Sequence, residues 1–269
     1  MPLPLWAALC LGTTSIMARE SKRDAALRIF SVLLALGVWE LAVRLVNNRL
    51  LLVGPIATVK CLVSLAGEPA FWQAALSSSG RIMLGFLLAL TAALLFAALA
   101  ARFPAAEAIL RPYIVTIQTV PVASFIVIAL LWLSSARISI FISFLMVFPV
   151  MYQNVLSGLR RADVELLEMA RVFRMTPFNA MRCIYIPAAE PYLLSAANTA
   201  LGMCWKAGVA AEVIGVAADS IGGRLYDAKV MLNIPELFAW TAVTVALSVG
   251  FGRLAMFALK KAIRLAEGV

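Results

Sequence analysis

The sequence predicts an all-α integral membrane protein of about six transmembrane helices, and three observations carry that prediction. Of the 269 residues, 63% are hydrophobic and only 14% charged, with a mean hydropathy of +0.96; soluble domains carry about 25% charged residues. The charges leave several long intervals empty, each matching the roughly 20 residues a helix needs to cross a hydrocarbon core. The basic surplus, a net charge of +9, flanks those intervals, as in membrane proteins that use it to set orientation. A nucleic-acid face would instead gather it in one patch.

Composition also removes several chemistries. The chain has no histidine, so His-based catalysis and His metal ligation are out. Cys10, Cys61, Cys183 and Cys204 are scattered and form no Cys-x-x-Cys pair, which fits buried apolar thiols and no metal site. No lysine follows a glycine, so a Walker A loop is absent and ATP, if used, is bound elsewhere.

The elements follow in order. Leu3 to Ala18 is apolar, with two early prolines and no basic residue ahead of it. That is a poor secretory signal, and a short interfacial helix or a partial seventh span both stay open. Ile29 to Val46 is the first span, with Glu40 and Arg44 four residues apart and able to pair on one face. The stretch from Asn47 to Gly80 is punctuated by Gly54-Pro55 and Glu68-Pro69, which predicts two short helices at the membrane surface. Three uncharged intervals then give the second, third and fourth spans, Ile82–Ala101, Pro112–Ala136 and Ile138–Leu159. The fifth begins near Pro191 and runs to about Val213 with Lys206 and Glu212 inside it; the sixth, Leu237–Leu259, holds Arg253. This divides the chain into an N-terminal apolar and basic segment (1–28), a membrane domain (29–262) interrupted by a charged loop (160–187), and a tail (263–269). With the first end placed inside, inner segments carry 14 basic residues and outer ones 7, so both termini and the 160–187 loop are expected on the cytoplasmic side.

That loop concentrates charge: Arg160, Arg161, Asp163, Glu165, Glu168, Arg171, Arg174 and Arg182. Asp163 is placed to cap a helix whose first turn carries Glu165. Leu166, Ala170 and Phe173 fall on one face of that helix, with Glu168 and Arg171 beside it. Thr176-Pro177 reads as an N-cap and first residue of a second short helix, which Pro187 is expected to end. The helical pattern alone leaves two readings open, a docking element or a connector with solvated charges.

The spacing resembles the signature loop of membrane subunits of bacterial binding-protein-dependent ABC importers: Glu-Ala-Ala, three residues, Gly, nine residues, Ile-x-Leu-Pro. Glu168-Met169-Ala170 opens it here and Ile184-Tyr185-Ile186-Pro187 closes it. The glycine position holds Arg174, which prefers helix where glycine permits a left-handed turn. Other stretches are similar to the nitrate/sulfonate/taurine branch of those permeases. These are Ser78-Ser79-Gly80-Arg81 before Gly85-Phe86, Pro121 with Trp132, Trp205 with Glu212, and Ser220-Ile221-Gly222. Val127 and Ser134 replace a proline and a glycine of that pattern.

The resemblance implies a type I ABC importer fold with the loop as a coupling helix. It assigns ATPase coupling to Glu165, Glu168, Met169, Ala170, Arg171, Arg174, Thr176, Pro177 and Pro187. It implies an ATPase subunit binding ATP in trans, an extracytoplasmic solute-binding protein, a second permease copy in the bacterial inner membrane, and no cofactor on this chain. The implied solute is a small anion such as a sulfonate, taurine or nitrate; a vitamin precursor such as a pyrimidine is the alternative within the family.

Residues inside the spans carry double meanings. A lysine or arginine near mid-membrane costs about 2.5–3.5 kcal/mol on insertion scales. Lys206 therefore either neutralises an anionic solute or snorkels, while Glu212 and Arg253 read as interfacial anchors near opposite surfaces. Pro121 and Pro149 free backbone groups inside spans; Gly202 and Gly208 permit close helix packing. Pathway candidates are Pro121, Ser124, Trp132, Trp205, Lys206 and Glu212. An ion-coupled carrier is the rival class, but it usually shows paired intramembrane carboxylates or broken helices in two repeats. An intramembrane enzyme lacks a nucleophile–base set.

Overall fold

The computed structural model describes residues 27, 30, 31, 33–46 and 52–267. The expected helix or partial span at 3–18 lies outside them. Every regular element among the described residues is helical. Helix α1 covers 33–46, and Glu40 and Arg44 pair on it at 3.2 Å, as their spacing predicts. Then follow α2 (Pro55–Ala66), α3 (Pro69–Arg102), α4 (Pro104–Thr119), α5 (Val122–Ala129) and α6 (Ser135–Arg160). The loop holds α7 (Val164–Val172) and α8 (Pro177–Ala180), and a π-helical turn (Met181–Tyr185) leads into α9 (Ile186–Gly215). Helices α10 (Ile221–Val230) and α11 (Ile234–Glu267) complete the chain.

Helices α3, α6 and α11 are each long and apolar enough to cross a membrane alone. At 30 residues, α9 is about 45 Å long, sufficient to cross as well. The predicted third span differs: α4 and α5 meet at 101°. Pro121 sits at the corner with ψ 132, has no N–H to continue the ladder, and disfavours helix at Val120 before it. The stretch 47–80 also differs. Only α2 is a separate short helix; Pro69 starts α3, which runs unbroken for 34 residues. No helix breaker other than glycine follows Pro69, so the second surface helix and the second span fuse.

Helix α6 is central, packed along α9 on one side and α3 on the other. The α3 face at Ile82, Phe86, Ala89, Ala93, Ala97 and Ala100 is buried and repeats at three and four residues, one helical stripe. It shares a core with Phe148, Met151, Tyr152 and Val155 of α6. Small residues here let backbones approach in the absence of a hydrophobic driving force. The opposite face of α3 presents Leu84, Leu87, Leu88 and Leu95 outward, suited to lipid. Gly208 serves the packing expected of it, since a Cβ there would stand 2.7 Å from Ile82 Cγ1 and Ser143 Oγ. Gly202 does not: nothing lies within 4 Å of the same position.

Candidate functional site

The loop after α6 is built by caps. Asp163 accepts a hydrogen bond from the Glu165 N–H at 2.9 Å, and Thr176 Oγ1 accepts one from the Asn179 N–H at 3.3 Å, so both expected helix starts are present. Between them α7 ends in a left-handed turn. Arg174 has φ 52, its N–H donates to Arg171 O at 3.0 Å, and Met175 N–H donates back to Ala170 O at 2.9 Å. This pair of bonds is a Schellman motif, normally closed by glycine. The left-handed turn that glycine would permit is thus made with Arg174 in its place.

The loop is clamped onto itself, and at its end onto the start of α9, by a small core of Ala162, Ala170 and Ile184, with Leu167, Met175, Tyr185 and Ala188 against it. Of the face expected from Leu166, Ala170 and Phe173, only Ala170 is buried. Phe173 is 74% exposed and Leu166 41%, because α7 turns Leu167 and Ala170, rather than the side with Leu166 and Phe173, toward the loop's small core. Val172 and Phe178 are equally open, at 78% and 73%. Glu165, Glu168, Met169, Arg171, Arg174, Thr176 and Pro177 are exposed around them. An apolar patch rimmed by charge thus projects from the loop. Pro187 is a correction: it lies in the first turn of α9 and ends nothing. The π-helical turn, closed by Ile186 N–H donating to Met181 O, leads the chain straight into α9, where a first-turn proline forfeits no hydrogen bond.

A second constellation is buried. Glu212, expected as an interfacial anchor, has no exposed surface at all. Its Oε2 accepts from Ser78 Oγ at 2.7 Å and from the Gly222 N–H at 3.2 Å, and its Oε1 lies 3.9 Å from Arg81 Nη1. Ser78 Oγ in turn accepts from the Ile221 N–H at 2.8 Å. Ser220 caps α10 by accepting from the Gly223 N–H at 2.8 Å. Three stretches singled out in the sequence, Ser78–Arg81, Glu212 and Ser220–Gly222, therefore meet at one point joining α3, α9 and α10. Glycine at 222 is obligatory, since a Cβ there would fall 2.2 Å from Glu212 Cβ.

The remaining pathway candidates separate. Pro121 and Ser124 are exposed at the α4–α5 corner, and Trp132 is exposed in the turn after α5. Trp205 is buried against Phe251 of α11, with ring centroids 5.7 Å apart. It joins exposed Lys206 in lining a groove of about 440 Å³ between α9 and α11, together with Thr241, Thr244 and Ser248. The Trp205 indole N–H has no hydrogen-bond partner there. Sequence reasoning missed two further links. Gln118 and Gln153 exchange amide hydrogen bonds of 3.2 and 3.3 Å between α4 and α6, and Arg160 grips Glu107 by donating from Nη1 and Nη2 to its two carboxylate oxygens. The signal was a glutamine in each of two neighbouring spans and a charge just beyond one end of each, which cannot be paired without knowing register.

The helical body, the loop with its outward apolar patch and the buried Ser–Glu–Gly junction are the features against which the chain's relatives are set. The chain belongs to the family described as binding-protein-dependent transport system inner membrane component, which it matches over residues 69–264. It is 30% identical over 161 residues to the putative aliphatic sulfonates transport permease protein of Bacillus subtilis, covering 59% of this chain and 58% of that one. It is 28% identical to the bicarbonate transport system permease protein of Synechocystis, covering 62% and 60%. A putative ABC transporter permease protein of Methanocaldococcus jannaschii is 24% identical over 74% of this chain and 76% of its own length. The chain thus spans less than two thirds of the first and second of these relatives.

Proposed function

We propose that this chain is the permease subunit of an ATP-driven importer for a small anion, powered by a separate ATPase held at the α7–α8 loop. The observation that carries this is the exposed patch of Val172, Phe173 and Phe178. Large apolar side chains at the end of a capped helix, ringed by Glu168, Arg171 and Arg174, fit a pocket in a soluble partner better than they fit water. The clamp of Ala162, Ala170 and Ile184 supports the same reading, because a handle must hold its own shape to pass on a push. One loop per chain and a paired ATPase call for a second permease copy related by a two-fold axis. ATP binding draws the two loops together and shifts the spans from inward-open to outward-open, and solute then enters from an extracytoplasmic binding protein. The basic-residue bias supports a cytoplasmic side for the loop and both termini.

The anion follows from two supports. Two of the relatives are named for the transport of aliphatic sulfonates and of bicarbonate, both negatively charged, and Lys206 is an exposed cation in the groove beside Trp205. Sulfonate, taurine and nitrate are the solutes to try. The experiment is uptake by vesicles holding the permease, its ATPase and its binding protein. Uptake is expected to require ATP and to survive an uncoupler; uptake driven by an ion gradient without nucleotide would overturn the assignment.

A further inference from the structure

On the membrane side of the α7–α8 loop lies a cavity of about 540 Å³, within the roughly 300–1,000 Å³ of ligand pockets. Its polarity is graded. Along α3 its wall runs from Leu94 to Arg102, about 12 Å of helix that passes from the uncharged span to the charge that closes it. Along α6 and α9 the apolar end is at Val155 and Leu193. The end nearest the loop carries Arg102, Arg171 and Glu190, two cations against one carboxylate.

We propose that this cavity holds an acyl chain of an anionic phospholipid from the leaflet on the loop's side, its phosphate at Arg102 and Arg171. Each feature selects that occupant. A free anion would leave the apolar depth unfilled, and a zwitterionic lipid would bring a second cation to a mouth that is already positive. The chain's own basic stretch, with Arg19, Lys22, Arg23 and Arg28 against Glu20 and Asp24, also carries the wrong sign. Guanidinium groups bind phosphate with paired donors, and basic pockets between spans at the cytoplasmic surface suit anionic headgroups. Because Ala170 and Arg171 belong to α7, the lipid would brace the loop against α3 and α9.

The test is native mass spectrometry of the full chain in mild detergent, titrated with phosphatidylglycerol and with phosphatidylcholine of identical chains. Phosphatidylglycerol is expected to bind about tenfold more tightly, and R102Q/R171Q to lose that preference. R102K, which keeps the charge and loses the fork, should retain part of it. Ala98→Phe, which fills the apolar depth, should weaken both lipids. Equal affinity of the two lipids for the unmodified chain overturns the proposal, even if the double variant fails to fold. So does a preference that persists in R102Q/R171Q, or a cross-link from Ala98→Cys to residues 1–26, which would make the chain's own N-terminal segment the occupant.

Discussion

Arg174 shows how one residue can break a sequence rule while the backbone keeps it. Its φ of 52 costs an L-residue about 1–2 kcal/mol, which glycine escapes, though glycine gives back part of the gain through unfolded-state entropy. Arg174→Gly is therefore expected to stabilise the protein by about 1 kcal/mol, seen as a rise of about 2–4 °C in the unfolding midpoint in detergent. Glu212 is the opposite case, a residue whose removal strands its neighbours. Glu212→Ala leaves the Ser78 hydroxyl and the Gly222 N–H buried without their acceptor, and should cost about 3–5 kcal/mol. Glu212→Gln keeps an oxygen for them and should cost much less. Gly222→Ala should be as damaging as the alanine at 212, because its new methyl meets backbone and Cβ atoms that cannot swing away. Thermal unfolding followed by tryptophan fluorescence ranks all three.

At the scale of elements, the loop and the bent pair α4–α5 make separable demands. Phe173→Asp puts a charge in the exposed patch while leaving the clamp around Ala170 untouched. It is expected to abolish co-purification with the ATPase without shifting the unfolding midpoint by more than a degree or so, since exposed substitutions stay within about 0.5 kcal/mol. Ala170→Asp should do both kinds of damage, because Ala170 is buried in the clamp. The caps at Asp163 and Thr176 were readable from sequence because a cap is a local hydrogen bond. The bend at Pro121 was not. A proline inside a long uncharged interval is compatible with a kinked crossing helix or with a corner, and no charge marks which. Phe173 was misplaced because periodicity groups residues on a face without saying which face is covered, and the covered one runs through Leu167 and Ala170.

For the whole molecule, the second, fourth and sixth spans were legible because bilayer thickness imposes a length on every crossing helix, and Arg102 and Arg160 stand where α3 and α6 end; Arg81 marks no limit, since α3 runs through it. Burial of Glu212 was not legible, since it depends on Ser78, 134 residues away along the chain; a lone carboxylate near the end of an apolar run looks the same whether it meets water or a hidden serine. Groove function belongs to this scale too. If the solute passes Lys206, Lys206→Met should raise the KM for an anion about tenfold while ATP hydrolysis by the assembled transporter persists. Unchanged uptake affinity would return Lys206 to a snorkelling role.

The meeting of α3, α9 and α10 also sets a schedule for biosynthesis. Ser78 and Arg81 emerge from the ribosome well before their carboxylate does, and at about 5–20 residues per second the wait is roughly 7 to 27 seconds. During that interval the newborn α3 must keep an arginine and two serines away from acyl chains, at the lipid boundary or beside the insertion machinery. Maturation of the nascent permease would then be gated by the arrival of Glu212, and chains truncated before it should be the ones that quality-control proteases remove.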